Sequence, residues 1–157
     1  MAKLLKEVLD FFAKQNCVLV TTIDKNGFPH SSCKGLLRIE DSGKVILLDL
    51  YQGKTFENLK NNPSASITAF DEHEFKGFCL KGRARLLRKE ALSKDILKAW
   101  EEKINRRIAT RLFRNIREEK GYFGHPEARL PQPEYLIELK VSEVVDLTPE
   151  NLKKTKT

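Results

Sequence analysis

The segment between residues 17 and 88 constrains the fold most, because it divides into five short strand-like stretches separated by turn signals. Residues 17–23 are rich in Val and Thr and precede Asp24-Lys25-Asn26-Gly27, in which Asn-Gly supplies the positive φ angles of a tight hairpin turn. The other strands are predicted over residues 30–39, 45–50, 64–70 and 78–86. Short strands joined by tight turns, with only one short helix among them, favour a small antiparallel barrel over a parallel α/β sheet.

Apolar residues at helical spacing predict two further helices outside these strands. Between Leu5 and Phe12 they form one buried stripe on a helix over residues 3–14. Residues 90–120 also read as helix, but their apolar residues recur every four positions, and each step of four adds about 40° around the helix. Such a stripe wraps around a straight helix. We therefore expect either a break near Asn105 or a second contact surface, such as a subunit partner.

The chain of 157 residues fits a single domain, which is predicted to span residues 1–147 and to include a helical insertion at 90–120. Residues 121–134 contain three prolines and are predicted to be a loop. A last strand is predicted over residues 135–147, and a polar tail over residues 148–157.

Composition and spacing exclude several classes of protein. No apolar run approaches the roughly 18 residues that suggest a membrane span, and Lys6, Glu7 and Asp10 lie where a secretory signal would be uncharged. We therefore expect a soluble, cytoplasmic protein. The three cysteines and three histidines show neither a disulfide framework nor metal-ligand spacing, so we expect reduced thiols and no metal.

The positive charge of the chain is local. The net charge is +7, and residues 81–120 hold fourteen Lys or Arg against six Asp or Glu. Such a block could attract nucleic acid, an anionic cofactor or an acidic partner, although a solvated helix face is the commoner explanation.

Gly53-Lys54-Thr55 forms a candidate anion site, because it lies between the apolar run at 45–50 and a short helix that Pro63 ends. The first N–H groups of that helix lack intrahelical acceptors, so with the Lys54 ammonium and the Thr55 hydroxyl they could hold a phosphate. An ATP-binding loop is excluded, since it needs a glycine five residues before Gly53, where the chain has Leu48. The alternative is that Gly53 only ends a strand and Lys54 is solvated.

The order of these elements resembles the FMN-binding split-barrel family related to pyridoxamine 5′-phosphate oxidase. The resemblance spans roughly residues 5–90 and rests on these segments in order: Val18-Leu19-Val20-Thr21-Thr22, Asn26-Gly27-Phe28-Pro29-His30, Gly53-Lys54-Thr55, Asn58-Leu59, Asn61-Asn62-Pro63 and Lys81-Gly82-Arg83-Ala84. It implies a mainly β fold with flanking helices, built as a six-stranded antiparallel split β-barrel. It also implies a homodimer with one FMN in each of two clefts at the subunit interface.

Residue by residue, the resemblance assigns the FMN phosphate to Lys54 and Thr55, and places the flavin ring beside the strand of Ser32, Cys33 and Lys34. The other cofactor-binding residues that it implies are Leu48, Asp49, Leu50, Gln52, Gly53, Lys81 and Arg83. Pyridoxamine phosphate oxidases proper carry an arginine and tryptophan block near the carboxyl terminus, whereas this chain has only Arg129-Leu130-Pro131 there and its one tryptophan is Trp100. The vitamin substrate is therefore not implied. We assign no catalytic residue, and His30 lacks a positioned partner that would make it a general base.

Three functional hypotheses follow. The first is a homodimeric, FMN-dependent oxidoreductase whose small-molecule substrate and electron donor the sequence does not identify. The second is a flavin-binding protein without turnover, either an electron carrier or a flavin store. The third and least favoured is a nucleic-acid-binding module that uses the arginines of residues 106–117. Haem or a deazaflavin in place of FMN stays open, since related barrels accept such ligands.

Overall fold

The computed structural model of this chain describes residues 2–50, 52–88, 90, 93–117 and 135–153, with side chains up to residue 110 in its longest helix. The elements in chain order are α1 (Lys6–Ala13), β1 (Cys17–Ile23), β2 (Pro29–Ile39), β3 (Lys44–Asp49), α2 (Lys54–Asn61), β4 (Ser64–Asp71), β5 (Lys76–Arg88), α3 (Lys94–Arg117), β6 (Tyr135–Asp146) and a 3-10 turn (Glu150–Leu152). The proline-containing loop predicted over residues 121–134 lies outside the described residues.

The six strands form one closed antiparallel barrel in the order β1-β2-β3-β6-β5-β4. The β1–β2 hairpin forms as expected: Gly27 has a φ of +85°, and the Asp24 carboxylate accepts hydrogen bonds from the N–H groups of Asn26 and Phe28 at 2.8 and 3.0 Å. Pairing of β1 with β4 and of β5 with β6 then closes the barrel. The prediction of a six-stranded antiparallel barrel is confirmed, and each strand lies within two residues of its predicted bounds.

Alternate residues of the strands point inward and fill the barrel. Those that are fully buried include Val20, Val45, Leu47, Ile67, Leu80, Ile137, Leu139 and Val141. Helix α1 packs against this core through Val8, Phe11 and Phe12, and the Phe11 ring meets the Phe78 ring edge to face with centroids 5.2 Å apart. The predicted amphipathic first helix is therefore present, although it is shorter than expected.

Helix α3 lies on the outer wall of the barrel. It runs for 24 residues without a break and is about 36 Å long, so the expected break near Asn105 is wrong. It also begins at Lys94, four residues later than expected. Ile96, Trp100 and Ile104 pack against a patch of the outer wall that contains Ile46, Leu48 and Leu136. Among the stripe residues whose side chains the structure describes, these three contact the patch, so the stripe need not stay on one face of the whole helix. Within the described part of the chain, no helix has the length and apolar character needed to cross a bilayer.

Candidate functional site

Helix α2 is fixed against the barrel by buried polar contacts. Thr55, Asn58 and Leu59 form its buried face, and the Asn58 amide donates a hydrogen bond to the Thr22 hydroxyl of β1 at 3.0 Å. The N-cap residue is Gly53, which has no side chain with which to cap the helix. The first N–H groups of α2 therefore lie beside two exposed residues, Gly53 and Lys54.

The Thr55 hydroxyl faces the barrel and not the solvent. Thr55 is 1% exposed, and its Oγ1 lies 2.7 Å from the Ser32 Oγ of β2. This hydrogen bond joins two residues that the sequence assigned to the same cofactor. It also means that Thr55 would meet a phosphate through its backbone N–H, while its hydroxyl holds α2 on β2.

Three charged or titratable groups come together where the β1–β2 turn approaches α2. Asp24 has a lowered pKa, chiefly because the Phe28 N–H donates to its carboxylate; the Asn26 N–H and the charges of Lys54 and His30 lower it further. Sequence reasoning assigned no role to Asp24, because nothing local indicates that a turn residue approaches a lysine 30 positions later. The Lys54 ammonium therefore interacts electrostatically with a carboxylate that already accepts two backbone hydrogen bonds.

A buried ion pair joins β2 to β3 on the inner side of the barrel wall. The Lys34 ammonium lies 2.5 Å from Oδ1 of Asp49, and the two side chains are 13% and 0% exposed. Oδ2 of Asp49 is also buried and accepts no hydrogen bond from the part of the chain that the structure describes. The sequence placed both residues in one cleft but did not predict that they pair.

Strand alternation separates the remaining residues of β2 and β3 into two faces. Cys33 is opposite Leu19 in the β1–β2 register and lies on the outer face, whereas Ser32 and Lys34 lie on the inner one. Leu48 also faces outward, where it packs in the same cluster as Trp100. Leu50 is half-buried, and Gln52 is exposed. The predicted cofactor residues thus divide between the two sides of the barrel wall.

Lys81 and Arg83 lie on a different part of the barrel. They belong to β5, which is separated from β2 by two strands in either direction around the barrel. Both are exposed, and the Lys81 ammonium lies 3.0 Å from a carboxylate oxygen of Glu143. The structure therefore does not bring Lys81 and Arg83 together with Ser32 and Lys34 on the same pair of strands.

The closed six-stranded barrel with its flanking helices has the architecture of a split β-barrel. The chain belongs to the pyridoxamine 5′-phosphate oxidase family, whose sequence model matches residues 4–147. No curated protein matches the chain.

Solved structures share this fold at low sequence identity. HupZ of Group A Streptococcus is 19% identical with a TM-score of 0.67, and the match covers 92% of this chain and 94% of HupZ. An FMN-binding protein from Syntrophomonas wolfei is 12% identical with a TM-score of 0.62, covering 92% of this chain and 88% of that one. HutZ of Vibrio cholerae, named as a haem storage protein, is 19% identical with a TM-score of 0.53, covering 91% and 94%. These likenesses show a common fold.

Proposed function

We propose that this chain is an FMN-binding flavoprotein, with the FMN phosphate held at the start of α2 by Lys54 and by the backbone N–H groups that follow Gly53. The observation that carries this proposal is the exposed start of α2, which is held on the barrel by the partly buried Ser32–Thr55 hydrogen bond. An exposed cation and uncapped N–H groups suit an anion. Family membership and the likeness to an FMN-binding protein support a flavin as the molecule that carries the phosphate.

The charge of the phosphate supports a homodimer. A phosphate ester carries close to two negative charges, which one lysine and a helix start compensate only partly, and the Asp24 carboxylate is nearby. In this proposal a second copy of the chain brings the exposed Lys81 and Arg83 to the phosphate, since β5 is separated from β2 by two strands in either direction around the barrel. Light scattering should show a dimer, and a monomer that retains stoichiometric flavin at micromolar concentration would contradict the shared site.

We further propose that the protein is an oxidoreductase of unknown substrate. Bound flavin supplies hydride or electron transfer, while the protein supplies binding and electrostatics. In this proposal Ser32 and Thr55 position α2, and the paired charges of Lys34 and Asp49 keep β2 and β3 in place beside the cofactor. A carrier or store of flavin without turnover would use the same residues.

The phosphate assignment is tested by comparing FMN with riboflavin, which lacks the phosphate. Lys54→Ala should lower FMN affinity about 10- to 150-fold, because a hydrogen bond to a charged group contributes roughly 1.5–3 kcal/mol. Riboflavin affinity should barely change. Lys60→Ala is the matched control, since it removes an exposed lysine from the other end of the same helix.

Fluorescence-quenching titrations of both ligands on the wild type and both variants complete a thermodynamic cycle. Equal wild-type affinities for FMN and riboflavin would reject the anion site, and an equal loss of both ligands in Lys54→Ala would show that Lys54 is structural. The absorption spectrum of the purified protein, before and after a nicotinamide reductant is added, distinguishes flavin from haem and shows whether the cofactor is reduced.

A further inference from the structure

Two thiols lie side by side on the outer face of the β1–β2 hairpin. Cys17 is opposite Gly35, and Cys33 is opposite Leu19, so the cysteines are diagonal neighbours that share one face. Both are exposed, and the two thiols are close enough to influence each other electrostatically. Neither side chain belongs to the inner face that carries Ser32 and Lys34.

The diagonal spacing suits a shared metal ion better than a disulfide. A disulfide requires Cβ atoms about 3.5–4.5 Å apart, whereas diagonal neighbours in an antiparallel pair are roughly 7–8 Å apart, with their Cβ atoms somewhat closer. Two thiolates on one metal ion, with bonds of about 2.3 Å, hold their sulfur atoms up to about 4.6 Å apart. Their Cβ atoms are then farther apart than a disulfide allows.

The surroundings of the two thiols are positive. Arg107 acts electrostatically on Cys33, and Lys103 of α3 lies close enough to interact with Cys17. Lys103 is held there by donating a hydrogen bond to the Leu36 carbonyl. A monovalent ion with two thiolates has a net charge of −1, which these cations would stabilise.

We propose that Cys17 and Cys33 form a two-coordinate site for a soft monovalent metal ion of the Cu(I) class. Thiolate ligands select Cu(I), whereas Zn²⁺ usually takes four protein ligands in a structural site. The described residues contain no group of three or more His, Cys, Asp or Glu that could hold a metal ion, so a third protein ligand is missing around this pair. On binding, two sulfur–metal bonds form, two thiol protons pass to the buffer, and the metal keeps its charge.

An anaerobic titration with Cu(I) against a chromogenic Cu(I) chelator tests the site without any flavin, so its outcome is independent of the proposed function. The wild type should bind one Cu(I) per chain, and Cys17→Ser and Cys33→Ser should each weaken binding by more than the roughly 10- to 100-fold that loss of an outer-shell partner costs. Cys79→Ser, which changes the third thiol on β5, should bind as the wild type does.

Copper X-ray absorption on the loaded wild type gives a second measurement that does not depend on the folding of any variant. Two sulfur neighbours and no nitrogen or oxygen neighbour are expected. The proposal is overturned if the wild type does not compete with the chelator, if Cys79→Ser loses as much affinity as Cys17→Ser, or if copper has three or more neighbours. Formation of an intramolecular Cys17–Cys33 disulfide by a disulfide oxidant, with no Cu(I) bound by the reduced chain, would also overturn it.

Discussion

The buried pair of Lys34 and Asp49 allows a quantitative test of the structure. Lys34→Met removes the ammonium but keeps most of the side-chain volume, and it leaves a carboxylate that is 0% exposed. Its Oδ1 loses the contact at 2.5 Å, and its Oδ2 already lacks a partner among the described residues. Removing one member of a buried pair costs about 3–5 kcal/mol, because the other charge is left uncompensated.

That loss is a large part of the total stability, which is about 5–15 kcal/mol for a natural domain. For a domain of this size each kcal/mol lowers Tm by roughly 2–4 °C, so we expect a decrease of about 6–20 °C. Urea denaturation of the flavin-free protein, followed by circular dichroism, measures the free energy of unfolding directly.

Two matched variants make the result decisive. Lys34→Met combined with Asp49→Leu removes both charges and should recover most of the loss, since apolar replacements of a buried pair are often neutral or stabilising. Lys81→Met breaks an ion pair of similar length, 3.0 Å, but its partners are 50% and 57% exposed, so it should cost less than about 1 kcal/mol. Equal losses for Lys34→Met and Lys81→Met would refute the claim that burial sets the cost.

Two further predictions concern turns and pH. Gly43→Ala should destabilise the protein more than Gly27→Ala in the same urea assay, although both glycines have positive φ. At Gly43 an added Cβ would lie 2.4 Å from the Ala2 carbonyl oxygen, whereas at Gly27 it would meet nothing within 4 Å. Equal losses of stability would contradict this prediction. Asp24 should titrate below its ordinary pKa of 3.8, chiefly because of the Phe28 N–H. Its contribution to stability is therefore present above the unfolded-state pKa and lost as pH falls through the lower folded value, and an NMR titration midpoint at or above 3.8 would contradict it.

The parts of the fold with local signals could be predicted from the sequence. Asn26-Gly27 favours a tight hairpin turn, and β1 and β2 have nearly the predicted bounds. Pro63 cannot continue a helix, and α2 ends just before it, as predicted. The break near Asn105 was wrong because spacing alone does not reveal how much of a stripe is in contact. Of the stripe residues whose side chains the structure describes, Ile96, Trp100 and Ile104 pack against the outer wall.

The site was predicted less completely, because its contacts join distant residues. The amide of Asn58 bonds a hydroxyl 36 positions away, and only the closure of the barrel places Lys81 across from Ser32. The sequence could have predicted that Cys33 faces the opposite side of the barrel wall from its neighbours on β2, since strand residues alternate between faces. The resemblance assigned residues by position along the strand and did not take that alternation into account.

Closure of the barrel also limits how two copies of this chain can associate. Each of the six strands has a neighbour on both sides, so the barrel offers no edge strand to which another chain could add by backbone pairing. Edge-to-edge aggregation through these strands is blocked for the same reason. A dimer of this chain would therefore rely on surface side chains in place of backbone pairing between barrel strands. Single substitutions can change such an interface more readily than they could change a shared backbone ladder.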